Sequence, residues 1–196
     1  MENLLVTGGC GFIGANFIRY LLDNSDFEGR IVNVDKLTYA GNMENLSGVA
    51  DRQPERYVFC RADICDREEM ARIFDRYRID GVCNFAAESH VDRSIAAPED
   101  FVRTNVMGTF VLLETARECR KPLERFHHVS TDEVYGSLGA DGYFLESSAF
   151  RPNSPYSASK AGSDHLVRAY HKTYGIPATI SNCSNAAAEQ WNGYCF

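Results

Sequence analysis

The chain is 196 residues long, with 44% hydrophobic and 24% charged residues, ordinary for one globular domain with a substantial core. Its net charge of −7 argues against a nucleic-acid backbone as the main partner, although backbone N–H groups can still bind phosphates locally. No apolar run approaches membrane-spanning length, so neither nucleic acid nor membrane is expected as a partner.

Strand-like and helix-like segments alternate along the chain. Leu4 to Val6 is a short apolar run ending in glycines, and apolar residues then recur at helical spacing at Ile13, Phe17, Tyr20 and Leu21. Ile31 to Val34 reads as a second strand closed by Asp35, and Tyr57 to Cys60 as a third. Met70, Ile73, Phe74 and Tyr77 make a helical stripe, and Val82 to Ala87 reads as a fourth strand. A long helix follows Pro98, marked by Val102, Val106, Thr109, Phe110 and Leu113. Phe126 to Ser130 is a fifth strand, a helix runs from about Tyr156 to Tyr174, and Ala178 to Ser184 is a sixth strand. Such alternation predicts an α/β fold: a doubly wound parallel sheet, or Rossmann-type domain, with helices on both faces. The loop from Gly136 to Pro155 is long enough to expect a functional role.

Seven cysteines, at 10, 60, 65, 83, 119, 183 and 195, include no C-x-x-C pair and are expected to be reduced thiols. Met1 leads almost directly into the first strand, which leaves no room for a signal peptide, so a cytoplasmic location is expected.

Gly8, Gly11 and Gly14 form G-x-x-G-x-x-G between the first strand and the first helix. Glycines there permit a tight turn and let the backbone approach a pyrophosphate, which then meets the helix N-terminus. Asp35, ending the second strand, is placed to accept hydrogen bonds from the adenosine ribose and would repel a 2′-phosphate. NAD is therefore expected over NADP, despite the neighbouring cation of Lys36. Asp63 is positioned either to reach the adenine or to cap the helix after it.

Tyr156 and Lys160 lie one helical turn apart, downstream of the fifth strand. A phenol is too weakly acidic to serve as a base near neutrality, so an adjacent ammonium and a positive nicotinamide are expected to lower its pKa. Thr131, Asp132 and Glu133 follow the fifth strand, at the sheet end where ligands bind. Removing water beside a ketone needs a base for one carbon proton and an acid for the departing hydroxyl, roles that two neighbouring carboxyls can share. The alternative is a solvated acidic turn. Glu88, Ser89, His90, Asp92 and Arg93 follow the fourth strand, and groups there could line the nicotinamide or a sugar; His90 has no second ligand at suitable spacing, so no metal is expected. His127 and His128 read as structural.

The runs TGGCGFIG, VDKLTYAGN, ADICD, FAAESHVDRSI, RTNVMGT, HHVSTDEVYG and PYSASKAGSDHLVRAYHKTYG together resemble the dTDP-glucose 4,6-dehydratases, members of the extended short-chain dehydrogenase/reductases. The resemblance implies a lyase acting on dTDP-glucose with NAD as a recycled hydride carrier. Tyr156 would take the 4-hydroxyl proton as the C4 hydride leaves, with Thr131 holding that oxygen. Glu133 would remove the C5 proton and Asp132 would protonate the departing 6-hydroxyl, after which the hydride returns to C6 to give a 4-keto-6-deoxy sugar. Lys160 would bind the nicotinamide ribose. By the same resemblance Phe12, Ile13, Asp35, Lys36, Leu37, Thr38, Asp63, Ile64, Phe85, Ala86, Ala87 and Thr104 would contact NAD, and Ser89 and Asn185 the substrate. A homodimer through helices near 99–119 and 156–174 is implied.

The resemblance runs from about residue 3 to 185. The family's sixth strand ends in a run like RCSNNYGP, whereas Asn182 stands here in place of the arginine and Ala186 in place of a cofactor-contacting asparagine. Residues 1–185 are thus expected to form the NAD-binding and catalytic domain, with 186–196 a divergent tail where the family begins its substrate-gripping domain. Weak or absent turnover of this chain alone is the expectation. A related nucleotide-sugar epimerase and a non-catalytic NAD-binding remnant are the alternatives.

Overall fold

The computed structural model describes residues 1–138 and 142–184. Its sheet strands are β1 (Asn3–Thr7), β2 (Arg30–Asp35), β3 (Tyr57–Arg61), β4 (Gly81–Asn84), β5 (Arg125–Thr131) and β6 (Ala178–Cys183). All pair in parallel in the order β3-β2-β1-β4-β5-β6, the doubly wound arrangement expected from the alternation. The helices are α1 (Phe12–Asp23), α2 (Val49–Arg52), α3 (Arg67–Tyr77), α4 (Val91–Ala96), α5 (Pro98–Phe101), α6 (Thr109–Glu118) and α7 (Pro155–Tyr174).

Alternation of side chains along the strands separates two cores. Leu4, Val6, Ile31 and Cys83 pack with Ala15, Ile18 and Leu22 of α1 on one face. Leu5, Val32, Val34, Val82 and Phe126 pack on the other with Met70, Ile73 and Phe74 of α3, Leu112 and Leu113 of α6, and Val167 of α7. The β5–β6 end differs, because its first face carries the polar group of His127, Thr179 and Ser181, joined by hydrogen bonds of 2.9 and 3.2 Å.

Two elements depart from the sequence reading. The fourth strand ends at Asn84, not Ala87. There the Ala86 N–H turns to the Thr7 hydroxyl at 3.2 Å, and the chain leaves the sheet across Gly8. The helix after Pro98 is also not uniform: Val102–Gly108 is wound as a π-helical segment between α5 and α6. That wider turn buries both Thr104 and Asn105, as π segments often do beside functional sites.

Candidate active site

The order reverses between β1 and β4, the position where open α/β sheets bind ligands beyond their strand ends. The glycine loop and the Phe85–Ala87 segment flank that crevice. Gly8 has φ +68°, and a Cβ there would stand 2.7 Å from the Ala86 nitrogen. A Cβ on Gly14 would stand 2.5 Å from the Gly8 carbonyl oxygen. Both positions therefore require glycine, one for its backbone conformation and the other for close packing of helix on loop. Gly11 is the N-cap of α1 and offers no side chain to its first N–H groups, so that end can receive an anion. Phe12 and Ile13, in the first turn, are exposed.

Asp35 is buried at the end of β2, with one carboxylate oxygen accepting from the Cys10 N–H at 3.0 Å and the other from the Leu37 N–H at 2.8 Å. Each oxygen keeps further acceptor capacity for a pair of hydroxyls. Leu37 takes φ 60°, an unusual value for a non-glycine residue, which bends the chain so that its N–H meets Asp35. Thr38 continues this loop, half-buried. The Lys36 ammonium is engaged elsewhere, 3.5 Å from Asp63 and 3.4 Å from the Thr104 hydroxyl. Burial alone would raise the Asp63 pKa, but the Cys65 N–H and Lys36 overcome it and hold the carboxyl below its ordinary value. Asp63 does not cap the following helix; Asp66 does, accepting from the Glu69 N–H at 3.0 Å, while Asp63 closes the turn before it. Ile64 is buried beneath, where a Cβ on Gly108 would collide with it.

The second cluster sits where β5 ends. Thr131 is buried and caps a single 3-10 turn, Asp132–Tyr135, by accepting from the Glu133 N–H. That turn swings Asp132 and Glu133 out to half-buried positions. Helix α7 starts with a capping box between Ser154 and Ser157 and with Pro155 in its first turn, which fixes the position of Tyr156. The phenol of Tyr156 is pushed up to about 12, mainly by burial; its hydrogen bond with Thr131 lowers it, and Glu133 and Asp132 raise it further. Thr131, Asp132 and Glu133 are thus brought close enough to Tyr156 to act on its phenol.

Lys160 corrects one expectation. Its ammonium is buried, donates to the Val129 carbonyl at 2.7 Å, and is itself lowered to about 8 by burial. In the cofactor-free protein the phenol is raised rather than lowered, because desolvation outweighs what a lysine turned toward the sheet can supply.

Of the groups behind this cluster, Asn105 escaped the sequence reading. Asn105 bonds the Glu88 backbone at 2.8 and 2.9 Å and the Ser159 hydroxyl at 2.8 Å, tying the π-helical segment to the end of β4 and to α7. Arg93 stacks over the Tyr39 ring at 3.7 Å, joining the loop after β2 to α4. Ser89 and His90 stand exposed beside them. His128 is buried between Asn84 and Ser163, at 3.1 and 3.3 Å, and burial together with Lys160 lowers its pKa to about 4. Asn185 lies outside the described residues. Among the described residues no group of three His, Cys, Asp or Glu side chains could hold a metal ion, and no helix is long and apolar enough to cross a membrane.

Residues 5–192 match the model of the GDP-mannose 4,6 dehydratase family. The chain belongs to this family. The match runs past residue 185, where the resemblance read from the sequence ends. A dTDP-glucose 4,6-dehydratase of Neisseria meningitidis serogroup B is 55% identical over 193 residues, covering 94% of this chain and 53% of that protein. dTDP-glucose 4,6-dehydratase 1 of Escherichia coli K12 is 53% identical over 198 residues, with 93% and 54% covered. Among solved structures, DesIV, a dTDP-glucose 4,6-dehydratase from Streptomyces venezuelae with NAD and TYD bound, superimposes with a TM-score of 0.84 at 49% identity. That alignment covers 93% of this chain and 55% of DesIV. The chain therefore spans about half the length of the relatives it matches.

Proposed function

We propose that the chain carries the NAD-binding and proton-handling half of a dTDP-glucose 4,6-dehydratase, a lyase that removes water from the hexose. The observation that carries this reading is the convergence of a threonine hydroxyl and two carboxyls on one half-buried phenol at the end of β5. A dehydrogenase or epimerase needs the phenol and the hydroxyl; the paired acids fit an elimination.

The glycine loop, the uncapped start of α1 and Asp35 suit NAD: backbone for the pyrophosphate, a carboxylate for the ribose hydroxyls. When bound, NAD supplies a reversible acceptor for one hydride. Leu37, Thr38, Lys36, Asp63, Ile64 and Thr104 would line its adenosine side, and Phe85 to Ala87 its other wall. Tyr156 takes the proton of the 4-hydroxyl, with Thr131 holding the same oxygen. Tyr156 would be eased toward phenolate by a cationic nicotinamide held beside it, against the burial that raises the phenol. Glu133 takes the C5 proton, made acidic by the neighbouring ketone, and Asp132 delivers a proton to the 6-hydroxyl, so that one water leaves. Lys160 would bind the nicotinamide ribose, and Ser89 and Asn185 would contact the substrate.

Residues 1–185 are read as this working unit, with 186–196 a tail of divergent sequence. We further infer a cytoplasmic protein that forms a homodimer through helices near 99–119 and 156–174. Exposed Val102, Met107 and Tyr174 on those segments support the pairing.

The test mixes the chain with NAD and dTDP-glucose and follows nicotinamide absorbance and the mass of the sugar product. Turnover by this half-length chain is expected to be weak, and what product forms should be lighter by one water. A product retaining all its oxygens would replace this reading by an epimerase or dehydrogenase. Tight NAD binding with no reduction at all would replace it by a cofactor-binding remnant.

A further inference from the structure

Behind the reaction site lies a buried carboxylate to which the mechanism above gives no task. Asp164 is 2% exposed and sits four residues after Lys160, so the two share one side of α7 a turn apart. One carboxylate oxygen accepts from the Ser130 hydroxyl of β5 at 2.8 Å and from the Asn182 amide of β6 at 3.3 Å. Among the described residues the other oxygen has no hydrogen-bond partner; the His128 ring nitrogen stands 3.4 Å away. A carboxylate that is buried and half satisfied is costly unless an opposite charge offsets it. His128 does not supply that charge, since burial keeps its ring neutral near neutrality.

We propose that Asp164 is a positioning residue of the site: its buried carboxylate, tied to β5 and β6, supplies the negative charge that holds Lys160 as an ammonium beneath the reacting groups. Lys160, on the same helix side, is buried with no carboxylate in direct contact among the described residues, its ammonium directed to the Val129 carbonyl. Burial works against the lysine's charge, and Asp164 is the first group that works for it, followed by Cys183. The other titratable groups around the pair are His128 on β5, Tyr135 in the turn after it and Tyr156 at the start of α7. Asp164 acts on each of these three as well. The same carboxylate thus raises the phenol while keeping the lysine charged, so it favours the protonated form throughout the free site. The proposal rests on the reading of Lys160 as the nicotinamide-ribose residue only for its purpose, not for its physics.

The experiment is an NMR titration of Lys160 in the full chain carrying isotope-labelled lysine, assigned by comparison with Lys160→Met, without cofactor. In Asp164→Asn the Lys160 midpoint is expected to fall by about one unit or more, a tenfold loss of proton affinity. Asp164→Glu is expected to keep most of it. If Asp164→Asn does not fold, Asn182→Arg decides the matter: a guanidinium beside the carboxylate should draw off its field and lower the Lys160 midpoint. An unchanged midpoint in Asp164→Asn, or in Asn182→Arg where the first variant is unfolded, overturns the proposal. Because the titration needs neither NAD nor sugar, a failure of the proposed dehydratase activity would leave its result standing. Where NAD binds, its affinity in Asp164→Asn should fall off at lower pH than in the unaltered chain.

Discussion

The glycine-loop cradle and the pocket between β5 and α7 each hold a buried carboxylate, and they hold it in opposite ways. Asp35 has both oxygens occupied by backbone N–H groups of flanking loops, at 3.0 and 2.8 Å. Its charge is compensated locally, so it fixes the shape of the loops and presents its remaining lone pairs outward. Asp164 is deeper, and one of its oxygens has no hydrogen-bond partner among the described residues. Around it stand a lysine lowered to about 8, a phenol raised to about 12 and a histidine lowered to about 4, all chiefly by burial. A binding cradle works by shape. A proton-handling pocket works by holding groups away from their ordinary proton affinities, at a cost in stability.

Breaking the pocket should cost most. Tyr156→Phe removes the proton acceptor while leaving the ring, and nicotinamide reduction by dTDP-glucose should slow by about 10³-fold in stopped-flow absorbance. The pocket should also fail in acid before the cradle does. His128 keeps its neutral form in the fold down to about pH 4 but would take a proton near 6.5 when unfolded. Its contribution is therefore fully present above pH 6.5 and lost as pH falls to about 4, of order 3 kcal/mol in all. Urea denaturation across that window should show the loss, and His128→Gln should flatten it.

On the cradle side, Asp35→Asn leaves two N–H groups facing a weaker acceptor, and NAD affinity measured by calorimetry should fall roughly tenfold, about 1.4 kcal/mol. Unchanged affinity would mean that this carboxylate serves only the loops. The smallest effect belongs to Ser154→Ala. Loss of the capping box should cost about 1 kcal/mol in urea denaturation and slacken the turn that carries Tyr156.

The two regions were also unequally legible in the sequence. The cradle is written in backbone requirements, and Gly8, Gly14 and Asp35 can be read from spacing because only those residue types suit the turn and the strand end. Thr131 to Glu133 and Tyr156 were legible as well, since β5 announces itself by its apolar run and Tyr156 by its spacing from Lys160. Lys160 was legible as a member of the site but not in its state: no pattern tells that its ammonium is turned to the Val129 carbonyl and desolvated. The end of β4 was misplaced because Phe85 to Ala87 are apolar, yet they leave the sheet to cross Gly8. Asp164 carried one signal, its i+4 spacing from Lys160; its burial depends on Ser130 and Asn182, which only the pairing of β5 with β6 brings to it.

The sharpest test of the paired acids is Glu133→Gln, followed by nicotinamide absorbance and product mass together in a single turnover with dTDP-glucose. Oxidation at C4 should proceed while elimination stalls, so reduced nicotinamide should build up with the sugar still carrying its 6-hydroxyl. Normal formation of the dehydrated sugar in that variant would contradict the assignment of the carboxyl pair.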